Sequence, residues 1–148
     1  MKIAFLTSGG LAPCLSASIA ALLESYKMEN ISAEFSGYLN GYQGLLKGKS
    51  YEFPSQITKN VGMLFSFGGS IIGNSRVKLT NAEDCEKRGL ILPGEKPLEK
   101  AAKQLMKDKI SILHTIGGDD TNTMAAELSH YLHEIGYDLT VVGLPKTV

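Results

Sequence analysis

Two segments constrain the fold of this chain more than any others: KIAFLTS (residues 2–8) and ISILHTIGG (residues 110–118). Each is a nearly unbroken apolar run with a glycine pair at its end, Gly9–Gly10 and Gly117–Gly118. A strand with one wet face alternates apolar and polar side chains. A continuous run means burial on both faces, as in the interior of a parallel sheet. Helical apolar spacing follows each glycine pair, in APCLSASIAALLESYKME (12–29) and DDTNTMAAELSHYLHEIG (119–136). The strand–glycine–helix unit, used twice, predicts an α/β fold: a three-layer, doubly wound, mainly parallel sheet.

The rest of the chain fits that plan. ISAEFSGYLNG (31–41) reads as a second strand, and YQGLLKGKSYEFP (42–54) as a short helix leading into irregular chain. Residues 61–80, VGMLFSFGGSIIGNSRVKLT, hold four glycines and read as a loop with broken strand or helix pieces. PLEKAAKQLMKDK (97–109) is an amphipathic helix with Leu98, Ala101, Ala102 and Leu105 on one side. DLTVVGLP (138–145) supplies a last strand. Pro13 suits a first helical turn, and Gly136 suits a helix C-terminus. Ligands of such folds bind beyond the carboxyl ends of the strands. Because GLPKTV follows a strand with no returning helix, the sequence is expected to be one part, residues 1–148, of something longer.

Composition narrows the function. Fifteen Lys and Arg balance fifteen Asp and Glu, and no basic run stands out. A nucleic-acid-binding stripe is therefore not expected, and any anion site must be built locally. No stretch approaches the roughly 18 apolar residues of a membrane span, and the N-terminal run is too short for a signal peptide. A cytoplasmic, soluble protein is expected. Cys14 and Cys85 lack metal or redox spacing and read as reduced thiols, with Cys14 packed as a small residue.

The chemistry concentrates at the strand ends. Glycine pairs let a backbone approach a ligand closely, and a helix start behind them favours negative charge. Asp119 and Asp120 would repel the same anion. One of them can cap its helix; the pair together is compatible with a phosphate cradle once Mg²⁺ lies between carboxylates and phosphate oxygens. Thr121 and Asn122 are expected to add donors there. Other polar residues read more plainly. His130 and His133, near Glu127 and Glu134, suit a solvated helix face, as do Lys87 and Arg88 in their charged segment. His114 suits a hydrogen-bonded core or rim position, and Tyr42 lies close to the expected cleft.

TSGGLAP (7–13), GGSIIGNSR (68–76), IGGDDTN (116–122) and GLPKT (143–147) resemble, in order and spacing, the motifs of the phosphofructokinases. The acidic pair with Pro-Lys-Thr is similar to the pyrophosphate-dependent branch of that family. The resemblance implies phosphoryl transfer from magnesium pyrophosphate to the 1-hydroxyl of fructose 6-phosphate, in a homo-oligomer of two or more subunits. It implies that Gly10, Arg76, Gly118, Asp120 and Lys146 form the pyrophosphate site, that Arg76 also bridges donor and acceptor, and that Asp119 holds Mg²⁺. It further implies that Asp120 occupies space a nucleotide would need, that Lys146 gives pyrophosphate a cation, and that Thr147 lies at the reacting hydroxyl. The family's general base would follow Val148 directly. Leu11 and Cys14 depart from the ATP-using pattern, in which an acidic residue and a glycine are frequent. An ATP-dependent enzyme and a phosphate-binding module without turnover are the competing readings.

Overall fold

The computed structural model describes residues 1–146. Within them, five strands form one sheet in the order β3-β2-β1-β4-β5. They are β1 (Lys2–Thr7), β2 (Glu34–Tyr38), β3 (Ser50–Glu52), β4 (Ile112–Gly117) and β5 (Thr140–Pro145). β1 runs parallel to both β2 and β4, and β4 runs parallel to β5. β3 is antiparallel to its neighbour β2. The α/β expectation holds, and the two apolar runs are the adjacent central strands.

Among the described residues seven helices surround the sheet: α1 (Cys14–Met28), α2 (Tyr42–Lys47), α3 (Ser55–Lys59), α4 (Gly62–Phe65), α5 (Ala82–Lys87), α6 (Pro97–Lys107) and α7 (Asp119–Glu134). Alternation along β1 divides the core into two layers. Ile3 and Phe5 pack with Leu15, Ile19 and Leu23 of α1, together with Leu64 of α4 and Ile72. Ala4 and Leu6 face the other way, into Leu45 of α2, Leu105 of α6 and Leu128 and Leu132 of α7. Both faces of β1 are therefore dry, which is why its sequence does not alternate. Truncating one of these fully buried leucines to alanine costs about 2–5 kcal/mol.

Local signals set the helix ends. Pro97 opens α6, where its missing N–H costs nothing. Gly136 takes φ +77° just past α7, a left-handed position that suits glycine. Two sequence expectations change. The segment after α2 contains β3 rather than wholly irregular chain; its three residues are all exposed at the sheet edge and carry no apolar pattern. Cys14 is exposed at the start of α1 rather than packed. No described helix is long and apolar enough to cross a membrane.

Strand register aligns the two glycine turns. Phe5 pairs with His114 and Thr7 with Ile116, so β1 and β4 end level with each other. The turns thus emerge side by side at the carboxyl edge of the sheet.

Candidate functional site

The first turn is fixed by the glycine-rich loop that precedes Arg76. Thr7, wholly buried, shares a 2.6 Å hydrogen bond with the Ser70 hydroxyl and donates to the Gly73 carbonyl at 2.7 Å. Ser8 Oγ donates to the Ser75 carbonyl, which also accepts from the Gly9 N–H at 2.9 Å. Asn74 Nδ2 donates back to the Gly9 carbonyl. Ser16, at the start of α1, accepts from the Ile71 N–H and donates its own N–H to Gly69. The loop is zipped to the end of β1, and Arg76 leaves it beside Gly10. Gly9 itself sits at φ +85°, a turn an L side chain would resist.

Gly10 is where the cations converge. A Cβ there would lie 3.2 Å from Lys146 Nζ and 3.8 Å from Arg76 Nη2. Lys146 is held at both ends: its N–H donates to the Gly117 carbonyl at 2.7 Å, and its ammonium donates to the Gly10 carbonyl. It therefore spans both glycine turns.

The second turn carries the acids. Asp119 and Asp120 occupy the first turn of α7, and both are exposed. Neither caps the helix; Gly118 is the N-cap residue and makes no side-chain bond, so the expected aspartate cap is absent. Asp120 instead meets Lys78 Nζ at 2.6 Å. Such an exposed pair contributes roughly 0–1 kcal/mol, so its main effect is to aim the carboxylate. Asp119 has no ion pair among the described residues.

Gly10, Arg76, Lys78, Gly118, Asp119, Asp120 and Thr121 line one cleft of about 480 Å³. The lining mixes glycine backbone at Gly10 and Gly118 with the cations Arg76 and Lys78 and with two carboxylates, of which Asp120 is paired to Lys78. A bare anion would meet repulsion from Asp119. An anion chelated to a divalent cation suits both kinds of group, because a metal can lie against a carboxylate while the remaining charge lies against the bases. The described residues contain no cluster of three His, Cys, Asp or Glu that could cage a metal. Most ligands of an ion at Asp119 would therefore come from phosphate oxygens and water, the usual habit of Mg²⁺.

The sequence-predicted residues Gly10, Arg76, Gly118, Asp119, Asp120 and Lys146 all meet at this edge. Thr147 lies outside the described residues. Asn122 does not serve the cleft: its amide bonds the Gly117 and Gly118 carbonyls and closes the turn. Tyr42 also points elsewhere, donating from a fully buried position to the Thr121 carbonyl at 2.8 Å. Burial raises its phenol pKa, so it stays a donor anchoring the start of α7. His114 is the hydrogen-bonded core residue expected, 2.7 Å from the Tyr26 hydroxyl. His130 pairs with Glu134 at 3.2 Å on the surface of α7. Lys87 and Arg88 pair with Glu83 and Asp84 on solvated α5. Lys78 and Asn74 join the site without a sequence expectation. The signal for Lys78 is the alternation in RVKLT, which puts it on the same side as Arg76, with Val77 and Leu79 buried between. Asn74 carries no comparable signal.

Residues 2–148 match the family model described as phosphofructokinase. Over 147 residues the chain is 57% identical to the pyrophosphate–fructose 6-phosphate 1-phosphotransferase of Methylomonas methanica, covering 99% of this chain and 36% of that protein. It is 56% identical, with the same coverages, to the protein of that name from Methylotuvimicrobium alcaliphilum. Among solved structures, the Pichia pastoris phosphofructokinase in the T-state superposes with a TM-score of 0.75 at 26% identity, covering 99% of this chain and 15% of that one. The chain thus spans about a third of the length of the relatives it matches. With its motifs gathered at one cleft and the family model matched from end to end, the chain belongs to the phosphofructokinase family.

Proposed function

We propose that the full-length protein is a pyrophosphate-dependent phosphotransferase, which moves a phosphoryl group reversibly from magnesium pyrophosphate to the 1-hydroxyl of fructose 6-phosphate. In this reading residues 1–148 are a donor-binding domain. The reading is carried by the make-up of the cleft: Asp120 lines it with a carboxylate held by Lys78, and Lys146 spans the two glycine turns. A nucleotide would need the space at Asp120 for its α-phosphate and nucleoside, and a carboxylate there repels it. Pyrophosphate has no such extension, and a lysine suits a small, dense anion with no base to stack.

Catalysis would rest on positioning and charge neutralisation, as phosphoryl transfer generally does. Gly10 and Gly118 let the backbone approach the phosphates, and the start of α7 adds its partial positive charge. Arg76, two-pronged and always charged, would follow the transferring group between donor and acceptor. Asp119 would hold Mg²⁺, which supplies charge neutralisation at the phosphate oxygens when bound. Thr147 would lie at the acceptor hydroxyl. A cytoplasmic homo-oligomer completes the proposal.

Donor choice tests it. The full-length protein is expected to use pyrophosphate and to use ATP poorly, and Asp120→Gly with Lys146→Gly is expected to improve ATP use. A wild type that prefers ATP would overturn the reading, and an unchanged donor preference in the double variant would remove the discriminator. The 148 residues alone are expected to form no fructose 1,6-bisphosphate.

A further inference from the structure

The Gly9–Gly10 peptide must face one way for its amide to meet an anion, and one side chain sets that direction. Asn74 Nδ2 donates to the Gly9 carbonyl. In a trans peptide the C=O and the following N–H point in opposite directions. Holding the Gly9 oxygen toward Asn74 therefore turns the Gly10 N–H away from Asn74. Among the described residues that N–H has no hydrogen-bond partner, and Gly10 lines the cleft. The Gly9 N–H is tied in turn to the Ser75 carbonyl at 2.9 Å, so residues 74 and 75 grip both polar groups of Gly9. Arg76 follows immediately, with its Nη2 3.8 Å from the position a Gly10 Cβ would take. The Asn74 side chain thus sets the direction of the Gly10 amide.

From this geometry we infer that Asn74 is a positioning residue of the donor site, acting through the Gly10 amide rather than by touching the substrate. The inference rests on the proposed donor function. Asn74→Asp is nearly isosteric but removes the donor and sets a carboxylate against a carbonyl oxygen. Asn74→Ala removes the donor without adding charge. In the full-length protein both variants are expected to raise the KM for pyrophosphate about 10-fold or more, the scale of a lost hydrogen bond to a charged ligand. The KM for fructose 6-phosphate is expected to stay within about 2-fold, and the thermal midpoint to fall without loss of the fold, further in Asn74→Asp than in Asn74→Ala.

The same rise in both KM values, or an unchanged KM for pyrophosphate, would overturn the inference. If Asn74→Asp fails to fold, Asn74→Ala decides; loss of the fold in both would make Asn74 a scaffold residue and also overturn it. A wild type that turns over ATP instead would defeat the donor reading alone. The comparison would then be made on the KM for ATP, where the same split supports the role of Asn74 and no change refutes it.

Discussion

The two glycine turns begin as near copies and end as opposites. Both close a strand buried on both faces, and both lead into a long helix. The turn after β1 has no acidic residue in the first turn of the helix behind it, takes a left-handed Gly9 and draws Arg76 and Lys146 to Gly10. The turn after β4 carries Asp119 and Asp120 in the first turn of α7 and needs no left-handed residue. A pair of identical cradles would bind phosphate twice. A basic cradle beside an acidic one suits a single ligand with a cation on one side, and that contrast underlies the proposed metal-chelated anion.

Removing the basic partner should have the largest effect. Arg76→Ala is expected to lower turnover of the full-length protein roughly 10²–10³-fold, the range for losing one preorganised charge stabiliser. Steady-state kinetics with saturating pyrophosphate would show it, and a variant within about 2-fold of wild type would mean that Arg76 is a surface residue. The acidic partner comes next. Asp119→Asn keeps shape and removes charge, and it should weaken magnesium-dependent pyrophosphate binding about 10²-fold if the metal bridge holds. An equal loss with and without Mg²⁺ would place its effect elsewhere.

The frame that keeps the turns level has its own test. His114 of β4 stacks on Phe5 of β1 with ring centroids 5.5 Å apart. Burial pushes its pKa down from 6.5 to about 4. The unfolded chain takes up this proton as pH falls through 6.5, whereas the folded chain resists until near 4. Stability is therefore complete above pH 6.5 and declines between 6.5 and about 4, by roughly 3 kcal/mol at most. Urea unfolding at pH 7 and pH 4.5 should show that decline, reduced in His114→Gln; a parallel decline in the variant would assign it to other groups. The smallest effect separates the two glycine pairs. A Gly10 Cβ would meet only flexible side-chain tips, Lys146 at 3.2 Å and Arg76 at 3.8 Å, whereas one at Gly117 would meet the Ser8 carbonyl at 2.5 Å. Gly10→Ala should fold normally and bind pyrophosphate about 10-fold more weakly. Gly117→Ala should lose about 1–3 kcal/mol of stability, read as a lower melting temperature.

Much of the fold is legible in the sequence because the central elements carry redundant signals. β1 and β4 announce themselves through burial on both faces, and α6 through its apolar stripe of Ala101, Ala102 and Leu105. The short pieces are not legible. β3 is three exposed residues paired by backbone alone, and α4 is four residues inside a glycine-rich loop. The residues that meet at the cleft are found through their motifs, whereas their partners are not. That Asp120 pairs with Lys78, that Asn122 bonds back to its own turn and that Asn74 grips Gly9 all depend on chain segments meeting across 5 to 65 positions of sequence. Spacing alone does not report such contacts.

The central claim is that a divalent cation joins Asp119 to an anion lying beside Gly10, Arg76 and Lys146. Pyrophosphate affinity measured by calorimetry in the presence and absence of Mg²⁺ tests it most directly. Tight binding that needs the metal, and that weakens about 10²-fold in Asp119→Asn, is the predicted result. Binding of equal strength without Mg²⁺ would contradict it.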